Sequence, residues 1–313
     1  MNNDSRISIC IPAHNQADTV AETVRSALSQ SVPVREVVVS DDGSTDATPE
    51  AMASLLGSLP GHERALVRYE RIEQALGMGG NFDRAVRLTS GEFCIKVDSD
   101  DILGRTFAER LASLLESHPR AGWAHCNVTN IDKDGRPLDL AHTRKPSGFS
   151  PAEDVFEAYL RHNDTCHCVL FRRSAYDDCG GYRPAMITCE DWMLWLDMTL
   201  AGYGYVYVAE PLAKMRKYRD RDEIMSRRRQ VFVESARKML RFVDQQLQGQ
   251  TEWAMRIPPQ AALNRLRSSV AAQVLYGAVR ERDPDVCRQL FEAVVAFDPS
   301  PGKRALYRLA GHL

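Results

Sequence analysis

Two hydrophobic periods alternate along the first hundred residues, and that alternation restricts the fold more than any other feature of the chain. Ile7, Ile9 and Ile11 alternate with small residues, which predicts a strand ended by Pro12. From Asp18, the apolar residues Val20, Val24, Ala27 and Leu28 fall at helical spacing, so a helix runs to Gln30. Val37-Val38-Val39 is a continuous apolar run, as expected of a strand covered on both faces. The next helix starts near Ala47, with Asp46 or Thr45 as its cap and Pro49 in its first turn. A third strand is expected over 65–71, a helix through Phe82, Ala85, Val86 and Leu88, and a fourth strand over Phe93 to Val97. Repeated strand and helix of this kind build an α/β fold, Rossmann-like, with a mostly parallel sheet flanked by helices.

The fourth strand runs straight into Asp98-Ser99-Asp100-Asp101. Like charges at a strand end repel unless a cation or a buried donor compensates them. Oxygen ligands at this density suit Mg²⁺ or Mn²⁺ beside a phosphate-bearing substrate. The plainer reading is a solvated loop whose last Asp caps the next helix. Asp41-Asp42 ends the second strand in the same way, and in a parallel sheet both clusters emerge on one edge. Glu190-Asp191 opens a helix, where N-capping alone could account for the pair. Metal–diphosphate binding plus a general base would use all three sites together. Gly77-Met78-Gly79-Gly80-Asn81 lacks the Lys-Ser/Thr of a P-loop and the GxGxxG spacing, so it reads as a loop needing positive φ.

Further on, a helix is expected from Phe107 to His118, a strand over Trp123 to Val128 and a tight turn at Asp134-Gly135. Residues 138–151 show no period and read as a loop. A helix over 152–161, a buried strand at Val169–Phe171, a turn at Cys179–Tyr182, a helix after Cys189 and a strand over Tyr203 to Val208 follow. Beyond residue 220 strand signals vanish, and 221–247, 260–281 and 284–297 carry helical spacing. The expected division is an α/β catalytic domain over 1–219 and a helical region over 220–313. A net charge of -2 argues against nucleic acid as a partner. No apolar run approaches the ~18 residues of a membrane span. The polar start, Met1 to Arg6, reads as no signal peptide, which implies a cytoplasmic protein with its eight cysteines reduced. Cys166-His167-Cys168 lacks zinc-ligand spacing and reads as free thiols. Between Lys214 and Arg241 basic residues dominate, with Arg227-Arg228-Arg229 beside an apolar stripe of Val231, Phe232, Met239, Leu240 and Val243. Such a helix ordinarily packs on its own domain; its alternatives are peripheral attachment to an anionic membrane surface or a homodimer contact.

These segments together carry a resemblance. Ile9-Cys10-Ile11-Pro12-Ala13-His14-Asn15, Val39 to Asp46, Gly91 to Asp101 and Glu190-Asp191-Trp192 resemble the motifs of family 2 glycosyltransferases with the GT-A fold. Ser26 to Gln30, Gly180-Gly181-Tyr182 and Leu200 to Tyr203 are similar to that family's connecting motifs, and the likeness covers residues 5–219.

The resemblance implies a role for each matching residue. Asp41 would accept a hydrogen bond from the base of a nucleotide-sugar donor, a UDP-sugar first, with Asp42 beside it. Pro12, Ala13 and Asn15 would line the nucleotide pocket. Asp98, Ser99 and Asp100 match the DxD motif, with Asp98 toward the ribose, donor sugar and metal, and Asp100 on Mg²⁺ or Mn²⁺. Asp191 would be the general base for a saccharide, lipid-linked or other acceptor hydroxyl, with Glu190 as helper or lesser base. A single in-line displacement would invert the anomeric carbon. There are departures: Arg84 replaces the frequent Ala-Arg-Asn and is assigned to a diphosphate or base contact. Arg221 stands where many members carry a His, and an Arg grips phosphate but ligates no metal. Two rivals are a sugar nucleotidyltransferase, whose N-terminal Gly/Arg-rich loop is absent from residues 5–20, and a non-catalytic binding module, which has no need of Asp191.

Overall fold

The computed structural model describes residues 5–141, 145–218, 222–249, 256–279, 281 and 283–297. The chain opens with β1 (Ile7–Ala13), α1 (Val20–Leu28), β2 (Glu36–Asp41), α2 (Thr48–Ser58), the single turn α3 (Gly61–Arg64), β3 (Val67–Arg71), α4 (Met78–Arg87) and β4 (Phe93–Lys96). The four strands lie in the order β3-β2-β1-β4 and all pair in parallel. This is the doubly wound half that the periodicity predicts.

Pro12 does not end β1; the strand passes through it. Residues of β1 bond alternately to the two neighbours. Ile7 and Ala13 accept N–H groups on the β2 side, whereas the Cys10 carbonyl accepts the Val97 N–H on the β4 side. By that alternation Pro12 faces β4, whose ladder has already closed at Cys10–Lys96. Its missing donor is therefore not needed.

The chain continues through β5 (Ile102–Leu103), α5 (Phe107–Ser117), β6 (Ala121–Ile131), β7 (Pro137–Ala141), β8 (Gly148–Ser150), α6 (Ala152–Tyr159), β9 (Val169–Arg172), α7 (Arg173–Asp178), α8 (Glu190–Leu200) and β10 (Gly204–Arg216). Strand β9 inserts antiparallel between β4 and β6, so the sheet becomes mixed beyond β4: β3-β2-β1-β4-β9-β6-β10-β5. Strands β7 and β8 pair antiparallel with β6 and β10. Both fall in the stretch expected to be a loop. They are held by backbone ladders at the sheet's margin, which require no apolar alternation. Residues 142–144 lie outside the described residues.

Period-2 alternation sorts the strand residues onto two cores. Ile7, Ile9 and Ile11 of β1 and Phe93 and Ile95 of β4 face α1, α2 and α5. Cys10 and Cys94 face the opposite core, shared with α4, α6 and α8. Lys96, two residues after Cys94, falls on this second side and lies 4.4 Å from the Phe82 ring centre.

After β10 come α9 (Asp222–Gly249), α10 (Pro259–Val279) and α11 (Pro284–Phe297). Met239, Leu240 and Val243 of α9 are buried in the same apolar cluster as Trp192 and Trp195 of α8, and Phe232 packs against it. The stripe that could have met a membrane is thus turned into the protein. Of the three consecutive arginines, Arg229 is paired with Glu281 at 2.6 Å, and the side chains of Arg227 and Arg228 lie outside the described residues. No described helix is long and apolar enough to cross a membrane.

The glycine-rich turn works as a close-packing device. Gly77 takes φ +78. A Cβ on Gly79 would stand 2.6 Å from the carbonyl oxygens of both Arg183 and Met186. Gly79→Ala is expected to lower stability by ~1–3 kcal/mol, because backbone on both sides must move. An unchanged urea midpoint would contradict this close approach.

Candidate active site

Because β2, β1 and β4 are parallel, their carboxyl ends share one edge, where open α/β sheets collect ligands. Ala13 is in register with Asp41, and β4 delivers Asp98 on the other side of β1. Pro12 and Ala13 close β1 between the two acidic strand ends.

Asp41 is fully buried. Its Oδ1 accepts the Ser44 N–H (2.9 Å) and the Ser44 hydroxyl (2.6 Å). Its Oδ2 accepts the Tyr69 hydroxyl and faces Arg71 Nε at 3.7 Å. Burial and the Asp41 carboxylate together push the Tyr69 phenol far above its ordinary range, so it stays a donor. A donor's base reaching Asp41 must therefore share it with Tyr69.

Asp42 behaves differently from the expectation. Its two oxygens accept the N–H groups of Leu76 (2.7 Å) and Gly77 (2.9 Å), which makes it the anchor of the loop before α4 rather than a free acceptor. Asn15, at φ +55, clamps the turn after β2: its side-chain oxygen accepts from Thr45 N (2.8 Å) and Asp46 N (3.3 Å). Arg84 donates to Ser40 Oγ (2.6 Å) and to the Glu70 carbonyl (3.1 Å), on β2 and β3. In the order β3-β2-β1-β4 these strands lie two and three places from β4 and its acidic loop. Arg221 lies outside the described residues.

The acidic loop itself divides into three roles. Asp98 meets His167 Nδ1 at 3.0 Å and Lys96 Nζ at 2.7 Å. Burial would raise its carboxyl, but Lys96 and His167 outweigh that and hold it well below the usual carboxylate range. Ser99 is buried beneath the loop. Asp100 has the reverse balance: burial and neighbouring Asp98 raise its carboxyl, with Tyr218 only partly offsetting them. Asp101 caps no helix, because β5 follows it and α5 starts only at Phe107. Its Oδ1 accepts the Arg216 N–H at 2.9 Å, and its carbonyl accepts the Thr23 hydroxyl at 2.8 Å. Arg216 also donates to the Asp100 carbonyl (3.0 Å), to the carbonyls of Asp132 and Lys133 (3.1 and 2.7 Å), and to Glu22 (2.7 Å). One buried arginine from β10 therefore ties the acidic loop to α1 and the β6–β7 turn.

Opposite this loop stands the start of α8. Asp191 accepts the Tyr182 hydroxyl at 2.8 Å on Oδ1, and its Oδ2 lies 3.6 Å from Lys96 Nζ. Burial, with Asp191 beside it, pushes Glu190 up to about 8, so Glu190 holds its proton at neutral pH and is no base there. The capping account fails for Asp191, whose oxygens face Tyr182 and Lys96.

Asp98 and Asp100 fit a hard divalent cation. Both are oxygen donors, and the raised Asp100 carboxyl marks negative charge without enough local compensation. Among the described residues no three His, Cys, Asp or Glu side chains are grouped to hold a metal by themselves. That suits a cation held by one or two carboxylates plus substrate phosphate oxygens. The Cys166-His167-Cys168 segment is arranged otherwise: His167 faces Asp98, the Cys166 thiol meets the Cys168 carbonyl at 2.9 Å, and Cys168 lies against Asp101.

Sequence reasoning missed Lys96, His167, Tyr182 and Arg216. For Lys96 there was a signal: a lysine inside an apolar central strand must find counter-charge. For Arg216 there was none, since its acceptors come from three distant segments. A cleft of about 620 Å³ lies apart from the carboxylates, between residues 161–163, Trp192, Phe232 and α10.

Strand ends, acidic loop and opposing helix define an α/β protein whose acidic sites gather at the carboxyl edge of its sheet. Residues 8–180 match the profile of glycosyl transferase family 2, and the chain belongs to that family. It is 27% identical over 197 residues to chondroitin synthase of Escherichia coli, covering 63% of this chain and 27% of that protein. It is 33% identical over 137 residues to the succinoglycan biosynthesis protein ExoO of Rhizobium meliloti, covering 43% of this chain and 36% of that one. With the putative glycosyltransferase EpsE of Bacillus subtilis it shares 24% over 224 residues, 70% of this chain and 76% of EpsE. The match thus spans well under half of the first two relatives. Among solved structures, S. aureus TarS 1-349 superimposes with a TM-score of 0.67 at 16% identity, over 98% of this chain and 87% of that chain. TarS in complex with UDP gives 0.66. Mannosyltransferase PcManGT from Pyrobaculum calidifontis, in complex with GDP-Man and Mn²⁺, gives 0.54 at 18% identity. The GT-A fold is shared with all of these.

Proposed function

We propose that this chain is an inverting transferase that moves a sugar from a nucleoside diphosphate sugar to an acceptor hydroxyl. The observation that carries the reading is the placement of Asp191 across Lys96 from Asp98. One carboxylate belongs to the donor edge and the other to an opposing helix, so donor and acceptor would each meet a carboxylate of its own.

Asp41, with Pro12 and Ala13, receives the base, and Asp98 receives the ribose and sugar side. Asp98 and Asp100 hold Mg²⁺ or Mn²⁺, which when bound supplies positive charge to the leaving diphosphate. Asp191 takes the proton of the acceptor hydroxyl as its oxygen bonds to the anomeric carbon. The bond from that carbon to the diphosphate oxygen breaks, and its electron pair leaves with the nucleoside diphosphate. One displacement inverts the centre. Glu190, carrying its own proton, does not compete for the acceptor's. UDP is favoured as the nucleotide by the fold shared with TarS, whose complexes hold UDP and UDP-GlcNAc. The names of the relatives favour polysaccharide synthesis at the cell surface.

Thermal shift with UDP, GDP and dTDP, each with and without Mn²⁺, tests the pocket and the metal together. A metal-dependent rise with one nucleotide is expected, and Asp100→Ala should remove its metal-dependent part. A rise of equal size without Mn²⁺ in the parent chain would count against the metal assignment. Nucleoside diphosphate release from a donor panel, stimulated by acceptor, then separates transfer from both rivals. Pyrophosphate formation would indicate a nucleotidyltransferase, and binding without release a non-catalytic module.

A further inference from the structure

Lys96 is the least expected residue of the sheet. It occupies a central strand with β1 on one side and β9 on the other, and its side chain is 1% exposed. An ammonium buried this far is costly unless charge surrounds it, and a methionine of similar length would pack on Phe82 without that cost. Folding alone does not ask for lysine here.

Its surroundings form a closed ring. Nζ stands 2.7 Å from Asp98 Oδ1 and 3.6 Å from Asp191 Oδ2, while the Phe82 ring lies 4.4 Å away. Phe82 packs edge-on against Tyr182 with centres 5.4 Å apart, and Tyr182 donates to Asp191 at 2.8 Å. The Asp191 pair, at 3.6 Å, is too long for a hydrogen bond, and the Asp98 pair is short but not aligned as one. The attraction is therefore that of a point charge, which can pull on two carboxylates at once. Without it, Asp98 and Asp191 would face each other across the site as like charges.

We infer that Lys96 is a positioning residue, whose ammonium holds Asp191 at a set spacing from the donor-side Asp98 and so places the base over the acceptor. The inference rests on the transferase reading above. Tyr182 occupies one position on Oδ1 and Lys96 draws Oδ2, so the carboxylate is held at both oxygens. Each oxygen has two acceptor positions, which leaves room for the acceptor proton.

The test compares Lys96→Met, which keeps length and removes charge, with Lys96→Arg, which keeps charge. Transfer kinetics are read together with UDP binding by calorimetry in the presence of Mn²⁺. Lys96→Met should lose about 100-fold in kcat, the scale of a displaced general base, while UDP affinity falls by much less, because His167 still pairs with Asp98. Lys96→Arg should recover a large part of the kcat. Unchanged kcat in Lys96→Met overturns the inference. So does a loss that appears equally in UDP affinity, which would make Lys96 a donor-binding residue. Lys96→Gln carries the same measurements where the Met variant does not fold. If both neutral variants are unfolded while Lys96→Arg is folded, the charge serves stability and the inference fails. A parent chain that releases no nucleoside diphosphate from any donor defeats the transferase reading itself, whereas an active parent with an equally active Lys96→Met defeats only the role of Lys96.

Discussion

Asp191→Asn is expected to bind nucleoside diphosphate as the parent chain does and to lose ~10²–10⁴ of its transfer rate, the usual contribution of general-base catalysis. The substitution keeps the shape of the side chain and an oxygen for the Tyr182 hydroxyl, 2.8 Å away in the parent. It removes only the capacity to take a proton. Glu190 is a poor substitute, because burial, the chief cause that raises its carboxyl, persists when the Asp191 charge is removed. The donor half of the site is built from β1, β2 and β4 and does not depend on α8, so binding and turnover should separate. Calorimetry with UDP and Mn²⁺ beside a transfer assay makes the comparison. Turnover at the parent rate would remove Asp191 from the mechanism.

A large effect on stability is expected at Arg216. Its side chain is 3% exposed and serves three segments through the Asp100, Asp132 and Lys133 carbonyls and the Glu22 carboxylate. Arg216→Ala leaves the Asp100 and Lys133 carbonyls without this donor and the acidic loop without its side-chain tether, at a cost of ~1–3 kcal/mol. Arg216→Lys should restore little, because a point charge cannot reach acceptors arranged around a planar fork. Urea denaturation measures both. A midpoint shared by Arg216→Ala and the parent would show that the loop is held by other means. Because the Arg216 side chain donates to the Asp100 carbonyl, the Ala variant should also weaken metal-dependent UDP binding.

Much of this site can be read along the chain because its parts end strands. An apolar run that stops at Asp41 or at Asp98 announces both the strand and the edge where its acids emerge, and a parallel sheet brings the two together. Chain order alone does not distinguish acids by partner. Asp41 and Asp42 are neighbours, yet one is saturated by Ser44, Tyr69 and Arg71, and the other holds the loop before α4. Asp101 reads as a cap until β5 replaces the expected helix start and Arg216 arrives from β10. Strands β7 and β8 escape for a related reason: backbone ladders supply their pairing, and no hydrophobic period marks them.

By itself the sequence determined the doubly wound half, the family and the three acidic positions, because each follows from local periodicity or from a motif contiguous in the chain. Only the tertiary structure decided what those acids meet. The antiparallel insertion of β9 brings His167 to Asp98, and packing of α8 on the Phe82 side of the sheet brings Asp191 to Lys96. These contacts join residues far apart in the chain, and electrostatic pairing at such distances is set by the packing of whole elements rather than by any local pattern.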